Sequence, residues 1–515
     1  MLIQKSQLKR GLPKETESLC PECGKIIPAT IFERNGRVLI EKECPEHGKV
    51  SDIYWSDVDL YLRAEKLAYD GVGVSNPLIP NAKVCPLDCG LCQLHLSHTS
   101  LANLDLTNRC NMKCPICFAN ANAAGYVYEP SYDDVVRMMQ TLRDEKPVPC
   151  TAIQFAGGEP TIYPRFFDVV RKAKEMGFAQ VQVATNGVKL ANDPDFARNC
   201  SEAGLNTIYL QFDGLREDIY IKARGRPMMD IKNKAIENVR ALETPPSIVL
   251  VPTIVKGIND DQVGPILEFA IENRDIIRGV NFQPVAFTGR IGREEREQGR
   301  YTLTDMAHDV NHQTGYTVDD DWYPVPAVAP ISTFVSAIMG EDKVTFTAHP
   351  HCGLATYLFI YEGKVVPITR FIKVEKLLDG LYELSQKTEG GKTKLPVKLK
   401  AFSLIKKSID KDKLPKGVSL TKFLRMMETV LSDKTKEGLA EFSWDMMFVG
   451  GMHFQDSYNY DIERVKRCVI HYVTPDQSII PFCAYNGGPT YRERIEKKYS
   501  IPMEEWRKTR GEEYT

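Results

Sequence analysis

Six short apolar runs, Leu101 to Leu106, Ala152 to Ala156, Val181 to Ala184, Thr207 to Phe212, Ser247 to Thr253 and Val280 to Val285, recur roughly every 25 to 50 residues through the middle of the chain. Their length and continuous apolarity suit strands buried on both faces. Between them the spacing changes to threes and fours: Val135, Met138, Met139 and Leu142, then Phe166, Val169, Val170 and Ala173, then Phe196, Cys200 and Ala203. Later stripes are Ile231, Ala235, Ile236 and Val239 with Leu242, and Ile266, Leu267 and Ala270 with Ile271. Such stripes predict helices with one face on a core, and Ser131 with Asp134 three residues on predicts a capped start for the first. Strand and helix therefore alternate, which predicts an α/β class with a parallel sheet.

After about Gly315 the pattern becomes less regular. Gly390-Gly391-Lys392 and Ser403 to Lys416 read as lysine-rich linkers. Pro330 opens a helical stripe of Ile331, Phe334, Val335 and Ile338 that ends at Gly340. About ten residues cannot span a bilayer, so this is a core helix, or else the wall of an apolar channel or a membrane contact. Met446 to Met452 poses the same choice, because methionine fills irregular apolar space of either kind.

At 515 residues the chain is too long for one core. The pattern divides it into 1–60, 61–99, 100–315 and 316–515. With 66 basic and 68 acidic side chains the net charge is −2, which gives no electrostatic case for a nucleic-acid partner. The start lacks the apolar run of a signal peptide and no long apolar stretch follows, so a cytoplasmic location is expected, with peripheral contact at the inner membrane face left open.

Fourteen cysteines in a reducing compartment point to metal ligands more than to disulfides. Cys20-Pro-Glu-Cys23 and Cys44-Pro-Glu-His47 are two knuckles at the spacing of a zinc-ribbon or rubredoxin-like site, three sulfurs and one imidazole for a mononuclear iron or zinc. Cys85, Cys89 and Cys92 form a Cys-x3-Cys-x2-Cys run, and Cys110, Cys114 and Cys117 repeat it 25 residues later. Three thiolates so spaced can hold three irons of a 4Fe-4S cluster and leave the fourth iron open, or can serve as a structural metal clip. Cys352, Cys468 and Cys483 are scattered through the last third. Cys200 falls on a core stripe, and Cys150 has no evident partner.

Only the second run is followed by Gly157-Gly158-Glu159-Pro160, Thr185-Asn186-Gly187 and Gln211-Phe212-Asp213-Gly214, each ending or following a predicted strand. In that order the motifs resemble the radical S-adenosylmethionine enzymes. The resemblance implies a partial (β/α)6 radical SAM barrel, preceded by the N-terminal metal-ribbon module and followed by a C-terminal α+β auxiliary iron-sulfur cluster domain. It implies that Cys110, Cys114 and Cys117 hold the catalytic 4Fe-4S cluster, that S-adenosyl-L-methionine chelates the open iron, and that an electron from an external donor splits it to a 5'-deoxyadenosyl radical. Gly157, Gly158, Glu159, Pro160, Asn186, Gln211 and Asp213 are then the cofactor-binding residues, with Glu159 and the backbone beside it on the methionine ammonium. The residue before the third cysteine, often aromatic in that family, is Ile116 here, with Phe118 just after, so the usual ring contact is not expected. Two auxiliary 4Fe-4S clusters are implied, one on Cys85, Cys89 and Cys92 with His95, His98 or a distant side chain as fourth ligand, and one on Cys352, Cys468 and Cys483 with a histidine or an exogenous ligand in fourth place.

The whole layout resembles the archaeal tetraether lipid synthases. That implies joining of the terminal methyl carbons of isoprenoid chains on glycerol ether lipids, to give macrocyclic archaeol and tetraethers, in a long apolar tunnel. The alternative within the same chemistry is a methylase of a pterin precursor in methanopterin biosynthesis, which needs a polar, aromatic-lined pocket. Outside it stand a non-enzymatic iron-sulfur electron carrier and a ribbon-containing nucleic-acid binder.

Overall fold

A computed structural model describes residues 3–289, 291, 296–388, 394–415, 446–488 and 491–510. The six apolar runs are strands β1 (Leu101–Thr107), β2 (Ala152–Gly157), β3 (Gln180–Thr185), β4 (Thr207–Gln211), β5 (Ser247–Val251) and β6 (Ile277–Pro284). They pair in parallel with their neighbours in chain order. Helices Tyr132–Arg143, Phe166–Glu175, Pro194–Glu202, Met229–Arg240 and Val263–Glu272 lie between them. The first starts as its sequence predicts: Ser131 accepts from the Asp134 amide, and the Asp134 carboxylate closes a capping box. Its stripe, Val135, Met138, Met139 and Leu142, is wholly buried in one core with Leu104, Phe155 and Val170.

The C-terminal third is built into the same sheet. Strand β7 (Gly353–Tyr361) runs antiparallel to β8 (Met446–Met452), which in turn lies parallel to β6. At the other edge β9 (Ile470–Val473) lies parallel to β1, and β10 (Ile479–Pro481) turns back against it. The order of the sheet, read between its edges, is therefore β7-β8-β6-β5-β4-β3-β2-β1-β9-β10.

Helix Ala329–Met339 ends at Gly340 in the left-handed region. It is a core helix, with Phe334 and Ile338 packed among Phe359, Phe371, Leu381 and Ile405. Met446, Met447 and Val449 are likewise core residues of β8, and Met452 at its end reaches the cavity described below. Ser403 to Ser408, expected in a linker, instead belong to helix Lys394–Ser408, because Ala401 and Ile405 give it a face to bury. Gly390 to Lys392 fall outside the described residues. Among the described residues no helix is long and apolar enough to cross a membrane.

Residues 14–55 fold separately as a four-stranded antiparallel sheet, Lys14–Leu19, Ile26–Arg34, Arg37–Cys44 and Gly48–Trp55. It is tied to the main body by Arg300, buried between Asp52 of the ribbon (2.6 Å) and Asp456 (2.7 Å).

Candidate functional site

In the ribbon, the donor atoms of Cys20, Cys23, Cys44 and His47 all lie within 4.8 Å of one another. Cys23 and Cys44 sulfurs are 3.9 Å apart, and His47 Nδ1 is 3.5 Å from Cys44 and 3.7 Å from Cys20. A tetrahedral ion about 2.3 Å from sulfur and 2.0–2.1 Å from nitrogen sets ligand edges of roughly 3.5–3.8 Å. The four residues fit one such ion.

Cys110, Cys114 and Cys117 follow β1 at the carboxyl end of the sheet and share a cavity of about 240 Å³ with Gly157, Gly158, Glu159, Asn186 and Gln211. Asn122 pins the loop: its Oδ1 accepts from the Cys110 amide (2.9 Å), and its Nδ2 donates to the carbonyls of Cys110 (2.7 Å) and Met112 (2.9 Å). Arg224 donates to the Ile116 carbonyl (2.8 Å) and pairs with Asp213 through two bonds of 2.7 Å. Asn186 donates to Asn111 Oδ1 (2.7 Å). Burial, with the Glu159 charge adding to it, pushes the Cys110 thiol up, so metal binding there must expel a proton from a dry site. Phe118 lines the same cavity, with its ring 5.9 Å from that of Phe482.

Gly157 and Gly158 stand where no side chain fits. A Cβ on Gly157, whose φ is +123°, would meet the Thr107 carbonyl oxygen at 2.3 Å, and one on Gly158 would meet that of Arg109 at 2.1 Å. Their smallness lets β2 close on the cysteine loop. Pro160 starts a short 3-10 turn, Pro160–Ile162, capped by Glu159.

The two motif carboxylates also hold the fold together. The Glu159 carboxylate is buried and accepts from Thr161 Oγ1 (2.6 Å), Thr185 Oγ1 (2.8 Å) and the Asn186 amide (2.9 Å), so it braces the ends of β2 and β3. Burial raises its pKa against those bonds. Asp213 is fully buried beneath the cavity. Burial opposes its ionisation, but the Arg224 guanidinium outweighs that and holds the carboxyl below the usual range. Both brace the fold, and Glu159, Asn186 and Gln211 line the cavity while Asp213 does not.

Spacing did not flag Arg224 or Lys232. Lys232 is wholly buried, donates to the Asn186 carbonyl (2.6 Å) and to Gln211 Oε1 (3.3 Å), and burial lowers it to about 7. Nor did it flag the polar floor of the cavity: Asn103, Gln154, Tyr209, Thr253 and Gln283. Gln154 donates to Asn103 Oδ1 (2.8 Å) and accepts from Gln182 Nε2 (2.7 Å). The signal was available as polar residues inside strands of a parallel sheet, which are otherwise apolar. Phe454, Tyr472 and Phe482 form an aromatic wall, with Phe454 and Phe482 stacked 3.8 Å apart.

Behind that wall the remaining cysteines gather. Cys85 and Cys89 pack against the same core as Cys468 and Cys483, and the Tyr491 hydroxyl holds their loop by donating to the Pro86 carbonyl (2.6 Å) and accepting from the Cys89 amide (3.1 Å). Burial, and after it the charges of Cys483 and Cys352, push the Cys468 thiol up. Arg464 Nε lies 3.3 Å from the Cys352 sulfur. Of sixteen buried side-chain polar atoms without a hydrogen-bond partner among the described residues, six belong to His453, Gln455, Asn459, Tyr460 and Arg464. Such a concentration marks missing acceptors, and the sulfides of an anionic cluster fit that need. His95 and His98 are engaged away from the 85–92 loop: His95 Nε2 meets the Cys468 carbonyl (2.8 Å), and His98 Nε2 accepts from the Thr345 amide (2.9 Å). Cys200 is a core residue and Cys150 donates to the Ala152 carbonyl (3.2 Å).

Comparison with known proteins bears on these sites. A family model of the radical SAM superfamily matches residues 104–270, and one of the HMPTM N-terminal zinc ribbon domain matches residues 12–56. The chain is 49% identical over 507 residues to the 7,8-dihydro-6-hydroxymethylpterin dimethyltransferase of Methanocaldococcus jannaschii, covering 96% of this chain and 97% of that one. It is 28% identical to the GTP 3',8-cyclase of Chlorobaculum tepidum over 228 residues, 43% of this chain and 66% of the cyclase. Among solved structures, SuiB of Streptococcus suis bound to its precursor peptide aligns over 42% of this chain and 45% of its own, at 18% identity and a TM-score of 0.34.

The lipid-joining activity and the isoprenoid ether lipid partner are thereby corrected. A relative alike over nearly its whole length is named for a pterin, so ribbon, cysteine loops and C-terminal cysteine motifs are not marks of a lipid enzyme. The radical SAM match covers residues 104–270, and that chemistry is shared by enzymes with different substrates. The motifs around Cys110 also require the 4Fe-4S cluster and S-adenosylmethionine, and the ribbon adds a further metal site. With a relative matched end to end, the chain is a radical SAM enzyme and belongs to the family of the M. jannaschii protein.

Proposed function

We propose that the protein is a radical S-adenosylmethionine methyltransferase acting on a reduced pterin such as 7,8-dihydro-6-hydroxymethylpterin. The observation that carries this is the identity of 49% across nearly the full length of both chains. The cavity supports it independently. A pterin presents a flat bicyclic face and an edge of amide and amine groups, and the cavity offers aromatic rings at Phe454, Tyr472 and Phe482 with amides at Asn103, Gln154, Gln211 and Gln283.

In this reading the six-strand unit is a partial barrel and Cys110, Cys114 and Cys117 hold the cluster at its mouth. When bound, the cluster and S-adenosylmethionine supply a radical that takes hydrogen from unactivated carbon. The chain's own residues orient and enclose. Asn186 and Gln211 face the cofactor, Gly157 and Gly158 keep the backbone close to it, and the aromatic wall excludes water from the reacting carbon. Cys85, Cys89 and Cys92 hold one auxiliary cluster, Cys352, Cys468 and Cys483 another, and the ribbon holds iron or zinc.

Pterins extracted from an anaerobically grown host expressing the protein will carry one and two added methyl groups by mass spectrometry, and those from a host expressing Cys110→Ala will not. Identical pterin pools in the two hosts refute the reading.

A further inference from the structure

We propose that His453 is the nitrogen ligand completing the cluster on Cys352, Cys468 and Cys483. This rests on the reading that those three cysteines hold a cluster. Three observations place His453 there. The antiparallel register of β7 and β8 pairs Gly353 with Met452, so the next pair outward is Cys352 with His453, and the His453 amide donates to the Cys352 carbonyl at 3.0 Å. Directly opposed residues of an antiparallel pair project to the same face with Cβ atoms roughly 4.5–5.5 Å apart, so the imidazole stands beside the Cys352 thiol. Two residues on, the Gln455 amide donates to the Cys483 sulfur at 3.3 Å.

Met452, Phe454 and Gln455 line the radical cavity and His453 does not. Its side chain is 1% exposed, and neither ring nitrogen has a hydrogen-bond partner among the described residues. An imidazole so buried and so unpaired calls for a ligand that the protein itself does not provide. The neighbouring histidines are engaged. His95 and His471 share a contact of 3.1 Å between Nε2 atoms, His471 Nδ1 meets Thr99 Oγ1 at 2.9 Å, and His349 Nδ1 accepts from the His351 amide at 3.3 Å. His351 Nε2 meets the Tyr61 carbonyl at 3.3 Å and its ring stacks on Tyr61 at 3.8 Å. His453 alone among them offers two ring nitrogens without a hydrogen bond.

Replacing a thiolate by an imidazole raises the potential of an iron-sulfur centre. The test uses the full chain with Cys85, Cys89, Cys92, Cys110, Cys114 and Cys117 changed to alanine, labelled with 15N-histidine and reconstituted anaerobically with iron and sulfide. Pulsed EPR of the reduced cluster will show a histidine nitrogen coupling, and His453→Ala will lose it. His453→Cys will keep the cluster, without the coupling, at a lower potential. A cluster without that coupling, or a coupling that survives His453→Ala, overturns the assignment of His453 alone. Absence of iron beyond the ribbon's in the six-alanine chain overturns the cluster reading beneath it.

Discussion

In the ribbon, four donors come from two turns of one small sheet, about twenty residues apart, and converge within 4.8 Å with little help from the rest of the chain. At the end of β1, by contrast, the cysteine loop is pinned by nearby Asn122 and held by distant side chains as well. Arg224 grips it from after β4, Asn186 touches it from the end of β3, and Glu159 locks β2 to β3 beneath it. A closed structural site can be local, because its geometry is set by the ion and two turns. A reactive site that must admit a cofactor and a substrate cannot close on itself, so its shape is imposed from outside.

The sharpest way to separate the two is by removing ligands. Changing Cys110, Cys114 and Cys117 to alanine will abolish release of 5'-deoxyadenosine from S-adenosylmethionine while the ribbon keeps its metal, read by elemental analysis. Retained cleavage would break the comparison. Next in size is Asp213→Asn, which strips the buried Arg224 of its charge partner. Breaking a buried pair costs about 3–5 kcal/mol. The urea midpoint will fall and iron on the loop will become labile, with ribbon metal unaffected, if the loop is indeed positioned from a distance.

The smallest expected effect concerns a buried carboxylate beside the amino end of β1. Glu145 is buried, its Oε1 accepts from the Thr99 amide (2.7 Å), and its Oε2 has no hydrogen-bond partner among the described residues. Burial raises it to about 7 from 4.5. Between those two values the folded chain binds more protons than the unfolded one, so stability falls as pH rises from about 4.5 to about 7 and levels off above. Glu145→Gln will flatten that part of the profile, by up to about 3 kcal/mol. An unchanged slope between pH 5 and pH 8 would show that the carboxylate is solvated by other means.

Sequence spacing reveals what is local. The six strands matched within a few residues, the Ser131 box formed as its residues predict, and the ribbon ligands met. Long-range pairings were not legible. Strand β9 is only four residues, too short to announce itself, and it is held as a strand by the edge of β1, some 368 residues earlier along the chain, as between Asn103 and His471. The partners of the motif carboxylates were hidden for a related reason: only the fold shows that Glu159 is braced by Thr161 and Thr185, and Asp213 by Arg224. Substrate was the least legible of all, since the motifs encode bond breaking and the amides that line the floor are scattered one per strand.

The seating of β9 against β1 also orders the protein's birth. The edge of β1 stays bare on the ribosome until some 370 further residues have been made, and the cysteines at 468 and 483 emerge later than every other thiol. Contacts of such separation form slowly. Cys352, Cys468 and Cys483 can meet only once the last of them has been made, and a nascent chain stalled short of β9 exposes a raw sheet margin, prone to sticking to its neighbours.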